Sequence, residues 1–194
     1  MGVDRPAVPA ALIAGWRETE ATVTRPFDAR VVTVDAHTVV YDDDDLHDRL
    51  AETAGVSGRW RFFVAARLAL SPRAGPSRAL TRLVADRAHD GFADRLADRG
   101  LERVRQRGTR WETVADRDAR VASYEAVYDP GPVSVRTSAR VAVRPADEGY
   151  LLAGGAYPTA VRGSGDPETG EAVAAAVEPE RFDDELTTLI GAVE

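Results

Sequence analysis

Arginine is the residue type whose spacing offers chemistry in this chain. Arg59, Arg61 and Arg67 fall at even intervals, as do Arg103, Arg105 and Arg107, and further on Arg136, Arg140 and Arg144. In an extended strand successive side chains alternate between faces, so a period of two puts each set on one face. If those strands are neighbours, the result is a sheet face lined with guanidinium forks, which pair with phosphate or carboxylate oxygens two at a time. Arg110 stands next to Trp111, a combination of cation and aromatic ring that single-strand binders use to stack bases. Arg59, Arg61, Arg67, Arg103, Arg105, Arg107, Arg110 and Trp111 are therefore the candidate binding residues. The competing outcome is ordinary sheet chemistry, in which these arginines pair across strands with acids such as Glu112, Asp118 and Glu125.

Other groupings carry less. Asp42-Asp43-Asp44-Asp45 offers carboxylates to a hard cation, but His47 occupies the sixth position, where an EF-hand loop requires Gly. A run of Asp at the start of a helix is explained by capping and by the helix dipole. His37, His47 and His89 fall on different expected elements without metal-ligand spacing, and read as isolated surface histidines. Ser57 in Gly55-Val56-Ser57-Gly58-Arg59 lacks the second glycine of a nucleophile elbow, and Ser164 stands in a polar stretch. Gly163-Ser164-Gly165 opens a dinucleotide pattern, but Glu168 replaces its third glycine. Trp60, Trp111 and Tyr124 read first as core or sheet-packing aromatics. No metal and no cofactor is expected.

The composition removes further chemistry. All 25 basic residues among the 194 are Arg, and there is no Lys and no Cys. Disulfides, thiolate nucleophiles, Walker lysines and Schiff bases are thereby excluded. The net charge is −7, yet the stretch from Arg59 to Arg110 holds 13 Arg against five acids, a balance of +8 set in a remainder of −15. The acidic, Ala-rich, Lys-free composition resembles that of proteins from salt-loving archaea. The opening residues lack the pattern of an address signal, and no apolar run reaches the roughly 18 residues a membrane span needs. A cytoplasmic location with no membrane partner is the expectation.

The elements that must position the arginines follow from periodicity. Strand-like runs at 19–25, 30–34 and 37–41 predict an opening meander. Asp42 to Ala54 predicts a helix with Leu46, Leu50 and Ala54 on one face and Gly55 as C-cap. Arg59 to Leu70 is the strongest strand, with Trp60, Phe62, Val64, Ala66, Leu68 and Leu70 on one side. Ser77 caps a long helix that Gly100 closes, its stripe formed by Leu80, Leu83, Val84, Ala88, Gly91, Phe92 and Leu96. Four strands joined by short turns follow, at 101–114, 119–128, 133–144 and 150–157. Residues 158–178 read as a mobile loop, and Pro179 opens a last helix carrying Phe182, Leu186, Leu189, Ile190 and Val193 on one stripe. One domain over 1–194 is expected, of α+β class, with a mostly antiparallel sheet and helices packed on it.

The Pro9…Gly15-Trp16 opening before a hairpin, the long helix after a central strand, and Gly149-Tyr150-Leu151-Leu152 leading on to Phe182…Leu186…Leu189-Ile190 resemble the PsbP-like α/β/α sandwich family. That family also includes a Ran-binding nuclear import factor. The layout and composition also resemble a haloarchaeal family without assigned function. The resemblance covers most of the chain as a pattern of elements and carries no catalytic motif. It implies a binding or assembly module more often than an enzyme.

The leading expectation is thus a non-enzymatic binding or protein-interaction domain, with recognition through the sheet face or the 158–178 loop. The alternatives are an anion or nucleic-acid binder using the arginine-rich sheet face, and an enzyme with an unrecognised Asp, Glu and His site. A protein partner is favoured over nucleic acid, because salt weakens binding by counterion release.

Overall fold

The computed structural model describes residues 3–28, 33–72 and 75–194. A short 3-10 turn (Ala10–Leu12) leads into the hairpin β1 (Trp16–Asp28) and β2 (Thr33–Asp43). Then come α1 (Asp44–Ala54), β3 (Phe62–Ser71) and α2 (Arg78–Asp98). The strands β4 (Leu101–Val114), β5 (Arg117–Tyr128), β6 (Val133–Pro145) and β7 (Tyr150–Ser164) follow, and α3 (Pro167–Ala176) and α4 (Pro179–Ala192) close the chain. The seven strands form one sheet in the order β1-β2-β3-β7-β6-β5-β4, and every neighbouring pair is antiparallel. The fold is α+β.

The helices divide between the two faces. Leu46 and Leu50 of α1, Val173 of α3 and Phe182, Leu186, Leu189 and Ile190 of α4 cover Val39, Phe63, Ala65, Val121 and Leu151. On the opposite face, Phe92 and Leu96 of α2 pack on Val40, Phe62, Val64, Tyr124 and Val141, and Ala85 packs with Ala66, Leu68 and Val143. A central strand covered on both sides needs apolar residues at consecutive positions rather than alternating ones. The run Phe62-Phe63-Val64-Ala65-Ala66 on β3 supplies them, all buried.

Capping explains the helix boundaries. Asp43 accepts the Leu46 N–H at 2.9 Å and Gly55 ends α1 with φ 65°. The Ser77 hydroxyl accepts the Leu80 N–H. Small residues let α4 lie close on β7: a Cβ built on Gly155 would stand 2.4 Å from the Phe62 carbonyl oxygen and 3.0 Å from Leu186.

Five expectations need correction. The opening meander is a single hairpin, because β2 runs through Asp35-Ala36 without a break; residues 29–32, which hold most of the expected second strand, lie outside the described residues. The loop expected at 158–178 is the end of β7 followed by α3. Pro158 is tolerated there beside a register shift against β6, and α3 begins with Pro167 after the Asp166 cap, whose carboxylate accepts the Thr169 N–H at 2.8 Å. Trp60 precedes β3 and packs beneath α1 and α4 instead of sharing the Phe62 face. The buried stripe of α2 is rotated: Leu83 is 60% exposed, while Thr81, Ala85 and His89 are buried. His89 is thus not a surface histidine. Its Nε2 stands 3.3 Å from the Arg120 carbonyl, and burial holds its pKa below the ordinary imidazole value.

Candidate interaction surface

The arginine rows do not merge into one face. Three strands separate β3 from β4, so the Arg59–Arg67 row and the Arg103–Arg107 row stand far apart in the sheet. Arg59 precedes β3 and lies with an exposed head 3.9 Å from Asp42. Arg61 is buried. Its two terminal nitrogens donate to Asp43 at 2.7 Å and Glu185 at 2.8 Å, and its guanidinium lies 4.9 Å from the Trp16 ring and 4.1 Å from that of Phe182. It joins α1, α4 and the start of β1 and cannot meet an external ligand. Arg67 is level with His37 and Leu151 on the α4 side of the sheet, half-buried and without an ion pair among the described residues. Burial raises the Asp43 pKa even with Arg61 beside it.

Along β4 the period of two is broken twice. Register against β5 shifts between Glu102 and Arg105 and again between Gln106 and Gly108, and Arg103 adopts φ 54° at the first shift. Arg110 bonds to Glu112. Trp111 is level with Arg120, on the side of the sheet that α2 covers, with the Arg78 guanidinium 4.8 Å and that of Arg120 5.7 Å from its ring. Its ring is half-buried against these two guanidinium groups, the sheet-packing placement read first for it.

Most of the Asp42–Asp45 run and the other two histidines have partners within the fold. Asp42 pairs with Arg99, Asp43 with Arg61, and Asp44 with Arg17 at 3.1 Å, while the Asp44 and Asp45 amides donate to Gly15. Nδ1 of His37 lies 3.2 Å from the Val3 carbonyl oxygen and that of His47 2.9 Å from that of Gly58. Among the described residues no cluster of His, Asp and Glu has metal-binding geometry.

What the structure does bring together is a surface the rows only partly announce. α4 packs on β7, and the outer strands β6, β5 and β4 continue beyond it on the same face. There Arg105 is level with Glu125 and then Ser138, and Gly108 is level with Ser123 and then Arg140. Arg105, Arg107, Gly108, Arg110 and Arg136 are exposed and Ser123, Glu125 and Ser138 half-exposed. Glu125 bonds to Arg107, and this bond, followed by the charges of Arg107 and Arg136, holds its carboxyl below the usual range. Arg140 bonds to Thr187 and stands 3.3 Å from Asp183, which accepts the Tyr157 hydroxyl at 2.7 Å. Burial, then this bond, raises the Tyr157 pKa. Arginines outnumber acids on this surface: Arg107, Arg110 and Arg140 are paired with Glu125, Glu112 and Asp183, while Arg105 and Arg136 carry no ion pair among the described residues.

At the lower end of this surface, a groove of about 250 Å³ runs between α4 and the β4–β5 hairpin. Val121, Ala142 and Ile190 line its floor, Val114, Glu112 and Ala115 one wall, and Arg140, Thr187 and Gly191 the other. A hollow of about 450 Å³ on the other side of α4 is bordered by Glu180, Asp184 and Glu185, with Arg181 tied to Glu178 and Glu185. It does not open onto the uncovered strands.

Spacing along the strands points to Arg105, Arg107 and Arg110, and the acids weighed against them are paired, Glu125 with Arg107, Glu112 with Arg110 and Asp118 with Arg78. Ala142 and Gly191 are not legible in the same way, because their roles depend on which strands are neighbours and on where α4 lies. The one local signal was Gly191, a helix-breaking residue inside an apolar helical stripe.

No helix among the described residues is long and apolar enough to cross a membrane. The family model described as "Domain of unknown function (DUF6517)" matches residues 5–194. No curated protein matches the chain.

Proposed function

We propose that this chain, which belongs to the DUF6517 family, is a non-enzymatic protein-interaction domain that receives its partner on the uncovered face of β4, β5 and β6. The observation that carries this reading is the layout of that face. It combines a groove with several Arg side chains, three of them paired with Glu125, Glu112 or Asp183, on a continuous antiparallel sheet. Protein interfaces have this anatomy, an apolar centre within a polar, Arg-containing rim. A nucleic-acid surface needs clustered positive charge, whereas here Glu125 and Asp183 neutralise Arg107 and Arg140.

Both edges of the sheet are also interrupted. β1 carries register shifts at Glu18/Glu20 and Thr24/Phe27, and β4 carries its own two. Such bulges hinder the addition of another strand, which favours docking on the face over extension of the sheet. Helices on both sides of one sheet are in keeping with the PsbP-like resemblance, whose implied role is binding or assembly; that support is an analogy of fold.

Site-specific photocrosslinking in cells that produce the protein tests this reading. A crosslinking residue is placed at Gly108, where the space for a Cβ is open, and in parallel at the exposed Asp86 of α2. A discrete heavier adduct from position 108 but not from position 86 is the expected result. Adducts at neither position, or the same adducts at both, would overturn it.

A further inference from the structure

We propose that the groove beside α4 takes one large apolar side chain from an extended segment of the partner, and that an acidic residue of the same segment reaches Arg105. This inference rests on the interaction-domain reading and narrows it to a chemistry.

The groove fits an anchor of this kind. Its volume of about 250 Å³ lies below the roughly 300–1,000 Å³ of small-molecule sites and matches a side chain better than a cofactor. The floor residues Val121, Ala142 and Ile190 are each at most 5% exposed, so the apolar surface that an anchor would remove from water belongs to the half-exposed Val114 and the exposed Ala115 of the hairpin wall. Gly191 keeps the upper wall open: nothing lies within 4 Å of the Cβ it lacks.

Charge identifies the second contact. Around the groove the cations are satisfied, Arg110 by Glu112 and Arg140 by Asp183. Further along β5 they are not. Arg105 has an exposed head and no ion pair among the described residues, and its neighbour Glu125 is held by Arg107. Arg105 is level with Glu125 and Arg110 with Val121, so the unpaired guanidinium lies four positions along β5 from the groove floor. At about 3.3 Å per residue that span is roughly 13 Å, the reach of three or four residues of extended peptide. A carboxylate arriving there gains a charge-assisted bond without breaking an existing pair.

A random-peptide phage library panned on the full chain supplies the probe, and the enriched peptide is then synthesised and titrated. The expected consensus has one Leu, Phe, Trp or Met separated by three or four residues from Asp or Glu. Gly191→Leu fills the groove, and Arg105→Glu reverses the distal charge at an exposed position that leaves the core untouched. Each variant is expected to weaken the peptide about tenfold or more, as loss of an anchor contact does, while its circular dichroism stays that of the parent. Failure to enrich any peptide, a consensus without an acid, or affinity unchanged in both variants overturns the inference. A crosslink from position 108 would in each of those cases still uphold the interaction surface, with different partner chemistry.

Discussion

Arg61 shows how far the role of a single arginine depends on what surrounds it. By spacing it belongs with Arg59 on a strand face, but it sits two residues apart from Arg59 at the point where the chain turns inward to begin β3. Arg59 remains in solvent and Arg61 is 4% exposed. Taking a guanidinium out of water is costly unless its charge is matched, and here Asp43 and Glu185 match it while Trp16 and Phe182 lie against its planar faces. Its Nε is buried without a partner, so the network is not fully satisfied. Removing the cation leaves Asp43 buried beside a carboxylate neighbour with no counter-charge, and that carboxylate also caps α1. Arg61→Ala is therefore expected to lower unfolding stability by about 3–5 kcal/mol, read as a lower urea midpoint. A loss within about 0.5 kcal/mol, the range of ordinary surface substitutions, would show that the pair is not what holds these elements together.

At the scale of elements, the sequence is most legible where local chemistry decides. Asp43, Ser77, Gly55 and Gly100 mark helix ends by capping, and the four strands from Leu101 onward are separated by turn residues, so both kinds of boundary are readable from neighbours alone. What is not readable is set by contacts distant in sequence. The continuation of β7 past Pro158 depends on β6 lying alongside, and the rotation of the α2 stripe depends on Tyr124, whose hydroxyl donates to the His89 carbonyl. The docking of α4 is a case of the same kind, because it requires a residue without a side chain on β7. Gly155→Ala places a Cβ against a backbone oxygen that cannot swing aside. The expected cost is about 1–3 kcal/mol, the usual penalty of overpacking, measured by thermal or urea unfolding. An unchanged midpoint would mean that β3 and the Leu186 side chain of α4 give way at no cost and that close packing at Gly155 is not what seats α4.

For the whole molecule, the uneven charge along the chain acquires a structural meaning. The +8 segment between Arg59 and Arg110 is joined to the acidic remainder by pairs that cross the fold: Arg59 and Arg99 with Asp42, Arg61 with Asp43 and Glu185, Arg78 with Asp118, Arg95 with Glu20, Arg107 with Glu125. Each of these acids lies outside the segment. Segregation along the sequence becomes mixing in space, and of the candidate arginines only Arg67, Arg103 and Arg105 stay without an ion pair among the described residues. Binding to a nucleic-acid backbone draws its strength from counterions released by several unpaired cations at once. Together with Arg136 on β6 these arginines are divided among three strands of a chain of net charge −7, and they are fewer than the roughly 6–10 phosphate contacts that such binding uses. Fluorescence anisotropy of a labelled single-stranded oligonucleotide is therefore expected to show no saturable binding at an ionic strength of about 0.15 M, where the Debye length is about 8 Å. Saturable binding whose salt slope falls when Arg103, Arg105 and Arg107 are replaced together by Gln would reverse the order of the readings. The β4 edge would then be the site of an anion binder, and the mixed charge of the neighbouring face would be incidental to it.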